Sequence, residues 1–362
     1  MSLESLGWGP AFIDAFTSLA SQSTSPLVPG RVVRQQRGLL TVQTQSRVLL
    51  ARTAGRLLHQ APGAEALPAI GDWVALQLPE GEGEALIHAV LPRTSVLTRR
   101  EAGGEHEGQL IAANLDLVFL VAGLDGNFNP RRIERALTLA WSSGASPVVV
   151  LTKADLHPDA AALVAEVEDL APGVPVLALS AWTGEGLAAL DASLPTGKTG
   201  ALVGSSGVGK STLVNRLLGE ARLGTQAVRA EDSKGRHTTT HRELFVLPGG
   251  GLLIDGPGMR ELGLWGDEDE GLLQAFSDIL ELAEGCRFSD CEHQREPGCA
   301  VREAAATGAL SKARLASYER LRRERAYQAR QSSASAEREH RRLERSRTLM
   351  GWEATRSKRR RD

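Results

Sequence analysis

The rhythm of apolar and polar positions changes along this chain, and each rhythm predicts a different kind of element. Near the start, Trp8, Phe12, Phe16 and Leu19 recur at helical spacing. They predict a short amphipathic helix within residues 1–20 that docks on a neighbouring domain. "SQSTSPLVPG" then reads as linker. From Arg31 to Pro92 the runs shorten to strand length: "GLLTVQTQ", "RVLLAR", "GDWVALQL" and "EALIHAVL". Period-two alternation puts Val74, Leu76 and Leu78 on one face. About five strands in some sixty residues fit a small closed barrel of the OB type. Such barrels often bind oligonucleotides, and Trp73 and His59 could stack bases, although a barrel tryptophan more commonly fills the core.

Beyond Leu115, strands alternate with helices. "LDLVFLVAG", "PVVVLTK", "VPVLALS", "GALVG", "RELFVL" and "GLLID" are the strand candidates. This alternation implies a largely parallel sheet covered on both faces, whose ligands sit at the carboxyl ends of the strands. "TKAD", "SAWTG", "GSSGVGKS" and "DGPG" all stand at such ends. After about Asp267 the pattern is helical, passes a Cys/His cluster and ends in "ERLRRERAYQAR" and "EREHRRLERSR". Opposite charges three or four residues apart there support an exposed helix. The expected fold is thus multidomain. Residues 1–30 are helix and linker, 31–95 an OB barrel, and 96–268 an α/β nucleotide domain. Residues 269–325 are a mainly helical metal-binding domain, and 326–362 a basic helical or disordered tail.

Composition changes this picture little: 42% hydrophobic and 24% charged residues are ordinary for a soluble globular protein. Charge changes it more. The formal net charge is -2, yet residues 312–362 hold 17 Lys/Arg against 7 Asp/Glu, so the first 311 residues carry -12. A basic end on an acidic body points to a polyanion touched mainly by that end, or to a solvated charge-rich helix. No run approaches the roughly 18 apolar residues of a membrane span. "MSLESLGWGPAFIDAF" lacks the basic and apolar regions of a secretory signal, so a cytoplasmic protein is expected.

"GALVGSSGVGKSTLVNRLLG" is a strand, a Gly-rich loop and an amphipathic helix in sequence, the context that gives a P-loop physical meaning. Gly204, Ser205, Ser206, Gly207, Val208 and Gly209 would wrap backbone N–H groups around phosphate oxygens. The helix start at Lys210, Ser211 and Thr212 adds free N–H groups and a positive dipole end. Lys210 would neutralise the terminal phosphates, and Ser211 would ligate Mg²⁺.

The base is named elsewhere, about fifty residues earlier. In "LTKADL", Asp155 would accept hydrogen bonds from the guanine ring N–H and exocyclic amine. Adenine would leave that carboxylate unpaired, at about 1–3 kcal/mol or more. Lys153 would cover the base face, Thr152 would tie the loop to its neighbours, and Ser180-Ala181 would place N–H groups on the guanine oxygen. In "LLIDGPGM", Asp255 is suited to Mg²⁺ and the Gly258 N–H to sensing the γ-phosphate. "SKGRHTTTHRELF" should complete the magnesium shell with Thr239, or with Thr238 or Thr240. Met259 stands where many GTPases have a water-orienting glutamine, so intrinsic hydrolysis should be slow. His237 is the nearest polar group to replace it, or is a solvated loop residue; a partner could also supply the missing part.

All three cysteines lie between 286 and 299. Cys286, Cys291, His293 and Cys299 make a closed Cys₃His set, as in structural zinc sites, with iron the chemical alternative. One zinc per chain would contribute folding energy to a small domain.

The order of these motifs (base, P-loop, switches) resembles a circularly permuted GTPase. "LDGNFNPRRIERAL", "PVVVLTKADL", "GSSGVGKSTLVN", "GRHTTTHREL", "DGPGMRELGLW" and the cysteine cluster are similar to the ribosome small-subunit-dependent GTPase family, RsgA or YjeQ. The resemblance runs from about Arg31 to Glu324. It implies a late assembly factor of the small ribosomal subunit, stimulated by that subunit and released on GTP hydrolysis, with His237 positioning the catalytic water. It also implies GTP/GDP, the small subunit and its rRNA as partners, no membrane, and a monomer. Gly256 departs from the family's usual Thr or Ser, and Met259 from its frequent Phe or Val. A nucleotide-sensing zinc/OB RNA-binding adaptor with little hydrolysis of its own is the alternative. An ATP-dependent enzyme is disfavoured by Asp155.

Overall fold

A computed structural model describes residues 2–36, 39–81, 83–100, 108–125, 128–220, 242–256, 272 and 275–323. The described residues form two compact units, divided between Glu281 and Leu282.

In the first unit, α1 (Pro10–Ser21) precedes the barrel strands. These are β1 (Val28–Gln36), β2 (Leu39–Thr44), β3 (Val48–Thr53), β4 (Trp73–Gln77) and β5 (Ala85–Val90), with α2 (Gly55–Gln60) between β3 and β4. Their order is β1-β2-β3-β5-β4, and β4 returns to β1 to close the ring. β3 and β5 run parallel, and the closed ring is OB-like. Val32, Val42, Ala51, Val74, Leu76, Ala85 and Ile87 fill it. Val74 and Leu76 share the inner face as alternation requires, whereas Leu78 falls beyond the end of β4. β1 starts at Val28, inside the stretch expected as linker, because Val28–Arg31 pairs with Leu76–Trp73 to close the barrel. Closure is a tertiary demand that local periodicity does not carry.

β4 is buried on both faces. Its outer face is covered by the N-terminal segment: the Trp8 and Phe12 rings lie 4.6 and 5.8 Å from that of Trp73. α1 begins at Pro10, so Trp8 docks from the segment ahead of the helix and Phe12 from within it, and Trp73 is fully buried, with no face left for a base. His59 stays exposed in the last turn of α2.

A hairpin that periodicity did not mark, β6 (Val96–Arg100) and β7 (Gly108–Ala113), follows the barrel. Next come β8 (Leu117–Gly123), α3 (Pro130–Ser142), β9 (Ser146–Thr152), α4 (Ala160–Leu170) and β10 (Val176–Ala178). α5 (Leu187–Ala192), β11 (Thr199–Val203), α6 (Lys210–Leu218), β12 (Arg242–Val246) and β13 (Leu252–Asp255) complete the domain. Strands β10-β9-β8-β11-β13 are parallel neighbours, and β12 is antiparallel to β13. Phe119, Val121, Val148, Val150, Leu202, Leu213, Val214 and Leu253 form the core beneath the site. Asn129 and Asp159 cap α3 and α4 by accepting the backbone N–H groups of Arg131 and Ala162.

Barrel and nucleotide sheet are continuous. β12 pairs antiparallel with β1, Glu243 opposite Arg34. Buried Arg31 adds a second joint. Its guanidinium donates to the carbonyls of Leu6, Gly71 and Asn114, the last two at 3.2 Å, and lies 5.5 Å from the Trp73 ring centroid. Burial lowers its pKa to about 10, against the opposing pull of Asp116 and Asp72. One side chain thus ties the N-terminal segment, the barrel and the nucleotide domain through three backbone carbonyls.

In the second unit the helix Ala300–Thr307 is followed by another over 312–323. Val301, Ala305, Leu310, Tyr318 and Leu321 are among the buried side chains of this unit. Among the described residues no helix is long and apolar enough to cross a membrane.

Candidate nucleotide site and metal cluster

The P-loop leaves β11 and enters α6 through Gly209, whose φ of +97° is a left-handed turn that glycine adopts without a Cβ clash. The free N–H groups of the first turn of α6 therefore face the loop's concavity. Lys210 is 6% exposed, and its Nζ donates to the Gly204 and Ser205 carbonyls at 2.6 and 2.7 Å. Ser206 and Gly207 are exposed, Val208 is buried, and Ser211 and Thr212 are half-buried on α6.

The base-reading loop lies against it. The Thr152 hydroxyl donates to the Val208 carbonyl at 2.6 Å, with the Ala122 carbonyl at 3.2 Å. Lys153 has a φ of +62°, a backbone state that costs a non-glycine residue about 1–2 kcal/mol. Its Nζ donates to the Gly207 carbonyl at 2.8 Å and to Asp125 Oδ2 at 2.5 Å. Asp125 is the residue that motif reading missed. It sits just past β8 within "LDGNF", which reads as a turn, although an acid at a strand end beside the P-loop strand was a usable signal.

Asp155 is exposed at the end of β9. Ser180, fully buried, accepts the N–H groups of Trp182 and Thr183 at its Oγ, at 3.2 and 3.1 Å. The Ala154 N–H bonds the Leu179 carbonyl, so the loops after β9 and β10 are joined. Ala181 is half-buried, and its carbonyl accepts from Arg216 Nε on α6 at 2.6 Å. Asp255, 9% exposed, ends β13 beside β11. Thr152, Lys153, Gly207 and Val208 are thus in direct contact, with Ser180, Ala181 and Asp255 on flanking strand ends. His237, Thr239 and Gly258, with Thr238, Thr240 and Met259, lie outside the described residues.

Gly256 has a local reason. A Cβ there would lie 2.8 Å from the Arg242 Cα, so the close approach of β12 leaves no room for a larger residue without a shift.

In the second unit, the ligand atoms of Cys286, Cys291, His293 and Cys299 all lie within 4.8 Å of one another. His293 Nδ1 is 3.6 Å from Cys286 Sγ and 3.5 Å from Cys299 Sγ, and those two sulfurs are 3.9 Å apart. A tetrahedron with zinc–sulfur bonds of about 2.3 Å and zinc–nitrogen of about 2.0–2.1 Å has edges of about 3.8 and 3.6 Å, so Cys286, His293 and Cys299 match three of its corners, with Cys291 within 4.8 Å of each. His293 adopts φ of +62°, which aims Nδ1 inward. Burial, with the charge of Arg322, holds its imidazole below the usual histidine pKa and favours the neutral, ligating form.

A model of the RsgA GTPase family matches residues 90–265. The chain is 52% identical over 338 residues to the small ribosomal subunit biogenesis GTPase RsgA of Opitutus terrae, covering 91% of each chain. With the protein of that name from Syntrophotalea carbinolica it shares 46% over 344 residues, covering 93% of each. Among solved structures, YjeQ from Thermotoga maritima superposes with a TM-score of 0.62 at 30% identity, over 82% of this chain and 98% of that one. YloQ, a circularly permuted GTPase, gives 0.60 at 25% identity, over 82% and 94%.

Proposed function

The chain belongs to the RsgA family of GTPases, and on that premise we propose that it hydrolyses GTP as a maturation factor of the small ribosomal subunit. The observation that carries the nucleotide reading is the Thr152–Val208 bond, which holds the base-reading loop on the P-loop. Hydrolysis is slow in the free protein, is stimulated by the subunit, and accompanies release from it.

Asp155 reads the guanine edge, the Lys153 stem covers the base, and Ser180-Ala181 present N–H groups to its oxygen. Gly204 through Thr212 cradle the phosphates. Lys210 moves from its two loop carbonyls to the terminal phosphates, exchanging neutral acceptors for charged ones. Magnesium, bound with GTP, neutralises charge on the transferring phosphoryl group. The Ser211 hydroxyl and Asp255 carboxylate supply the oxygen donors it prefers, with Thr239 from the first switch. Gly258 senses the γ-phosphate and His237 orients water. Zinc in the Cys₃His cluster is structural, one per chain, because four protein donors leave no open position.

The protein acts as a cytoplasmic monomer on small-subunit rRNA. On this reading the chain divides into residues 1–30, 31–95, 96–268, 269–325 and 326–362, with the first barrel strand beginning at Val28. GTP turnover with and without purified small subunits, over a salt series, tests this reading. Stimulation that fades as salt weakens the complex supports it. Equal turnover with and without subunits would favour the nucleotide-sensing adaptor instead.

A further inference from the structure

Trp182 is 81% exposed, the most open of the large apolar side chains among the described residues. An indole left in water forgoes the burial that normally pays for its place in a fold. Its backbone, by contrast, is fixed from several sides. Ser180 Oγ holds the N–H groups of Trp182 and Thr183. Ser180 N–H bonds the Glu185 carbonyl and Gly184 N–H the Ser180 carbonyl, both at 2.9 Å. From α6, Arg216 donates Nε to the Ala181 carbonyl and Nη2 to the Trp182 carbonyl, each at 2.6 Å.

The same contacts place a cation against the backbone of Trp182. Arg216 is exposed, it donates to two neutral carbonyls, and among the described residues no carboxylate pairs with it. The first 311 residues carry -12 overall, so a guanidinium with no carboxylate partner among the described residues is locally a site of opposite sign. An open aromatic face on a preordered loop, with a guanidinium bonded to the same loop's carbonyls, matches the two parts of an unpaired nucleotide: a base to stack and a phosphate to neutralise. A protein partner would use the indole but would give Arg216 no phosphate.

We propose that Trp182 and Arg216 form a contact for an unpaired nucleotide of RNA, with its base stacked on the indole and its phosphate on the guanidinium. This rests on the small-subunit reading and adds a site to it. The contact joins two parts of the nucleotide domain: the loop after β10, which carries Ser180 and Ala181, and α6, which begins at Lys210. RNA bound there touches both the base-reading side and the phosphate-binding helix, and so stiffens the site it flanks.

The test uses the full chain with a non-hydrolysable GTP analogue and purified small subunits. Affinity is compared for wild type, Trp182→Ala, Trp182→Phe and Arg216→Gln, alongside GDP affinity of each free protein. Trp182→Ala should weaken subunit binding by about 5- to 150-fold, the range of one base–aromatic stack. Trp182→Phe should restore most of it, Arg216→Gln should flatten the salt dependence by removing one charge, and GDP affinity should hold in both Trp182 variants. A photo-crosslinker at position 182 should mark rRNA. Subunit affinity unchanged in Trp182→Ala, an equal loss of GDP affinity, or crosslinks to ribosomal protein alone would each overturn the proposal. Failure of wild type itself to bind subunits would sink the functional reading and this contact together, a different outcome from wild-type binding that ignores Trp182.

Discussion

Thr152 donates its hydroxyl to the carbonyl of Val208 at 2.6 Å, across 56 positions of chain. The acceptor belongs to the P-loop and the donor to the tetrapeptide that names the base, so the permuted order of the motifs is undone in space. β9 and β11 flank β8 in one parallel sheet, which brings their carboxyl ends to the same edge. Thr152→Val keeps the shape but strips the donor from a buried carbonyl, a loss of about 1–3 kcal/mol. Fluorescent-nucleotide titration should show GDP and GTP both weakened, by about 5- to 150-fold. Unaltered affinity would mean that the bond does not support the site.

Lys153 is held between Asp125 and Gly207, and the two charged side chains are 29% and 25% exposed. Partial exposure screens the pair, so Asp125→Asn should cost about 0.5–1.5 kcal/mol of nucleotide affinity. The deficit should shrink as salt rises. GDP titrations of both proteins at low and high ionic strength measure it; a deficit independent of salt would point to lost shape instead of lost charge.

Metal analysis of the purified chain should find about one zinc per molecule. Cys291→Ser removes one of four donors and should abolish the stoichiometric metal. A chelator should do the same to wild type and expose the second unit to limited proteolysis, since zinc supplies folding energy of order 10 kcal/mol in small domains. Full metal content in the variant would exclude this donor set.

Gly256→Ser restores the residue common in the family, yet here it should destabilise. The new Cβ meets the Arg242 Cα at 2.8 Å, and overpacking of this kind costs about 1–3 kcal/mol. Thermal unfolding should fall by several degrees, at about 2–4 °C per kcal/mol for a chain of this size. An unchanged midpoint would show that β12 yields freely.

Motifs were legible because their chemistry demands residue types at fixed spacing. Phosphate cradling needs glycines before a helix start, and four metal donors must fall close together, so Gly204–Ser211 and Cys286–Cys299 stand out in one dimension. The docking of Trp8 and Phe12 on β4 was legible as a stripe, but its consequence, the burial of both faces of Trp73, was not. The β12–β1 pairing joins Glu243 to Arg34, and alternation within a strand says nothing about a partner so distant. Arg31 and Asp125 act through carbonyls and a lysine supplied by other elements. Alone, one looks like a surface charge and the other like a turn. The β6–β7 hairpin hid because the polar stretch 101–107 separates its two runs.

The central claim is that a loop ahead of the P-loop reads guanine, and Asp155→Asn tests it most directly. Wild type and variant are titrated with GDP, XDP and ADP. The carboxylate matches the guanine ring N–H and amine, whereas an amide can donate to the carbonyl that xanthine carries in place of the amine. The account predicts GDP weakened by about 10- to 150-fold, from about 1.5–3 kcal/mol for hydrogen bonds to a charged group, with XDP now preferred and ADP weak throughout. GDP affinity equal to wild type, or ADP bound as tightly as GDP by the native chain, would contradict it.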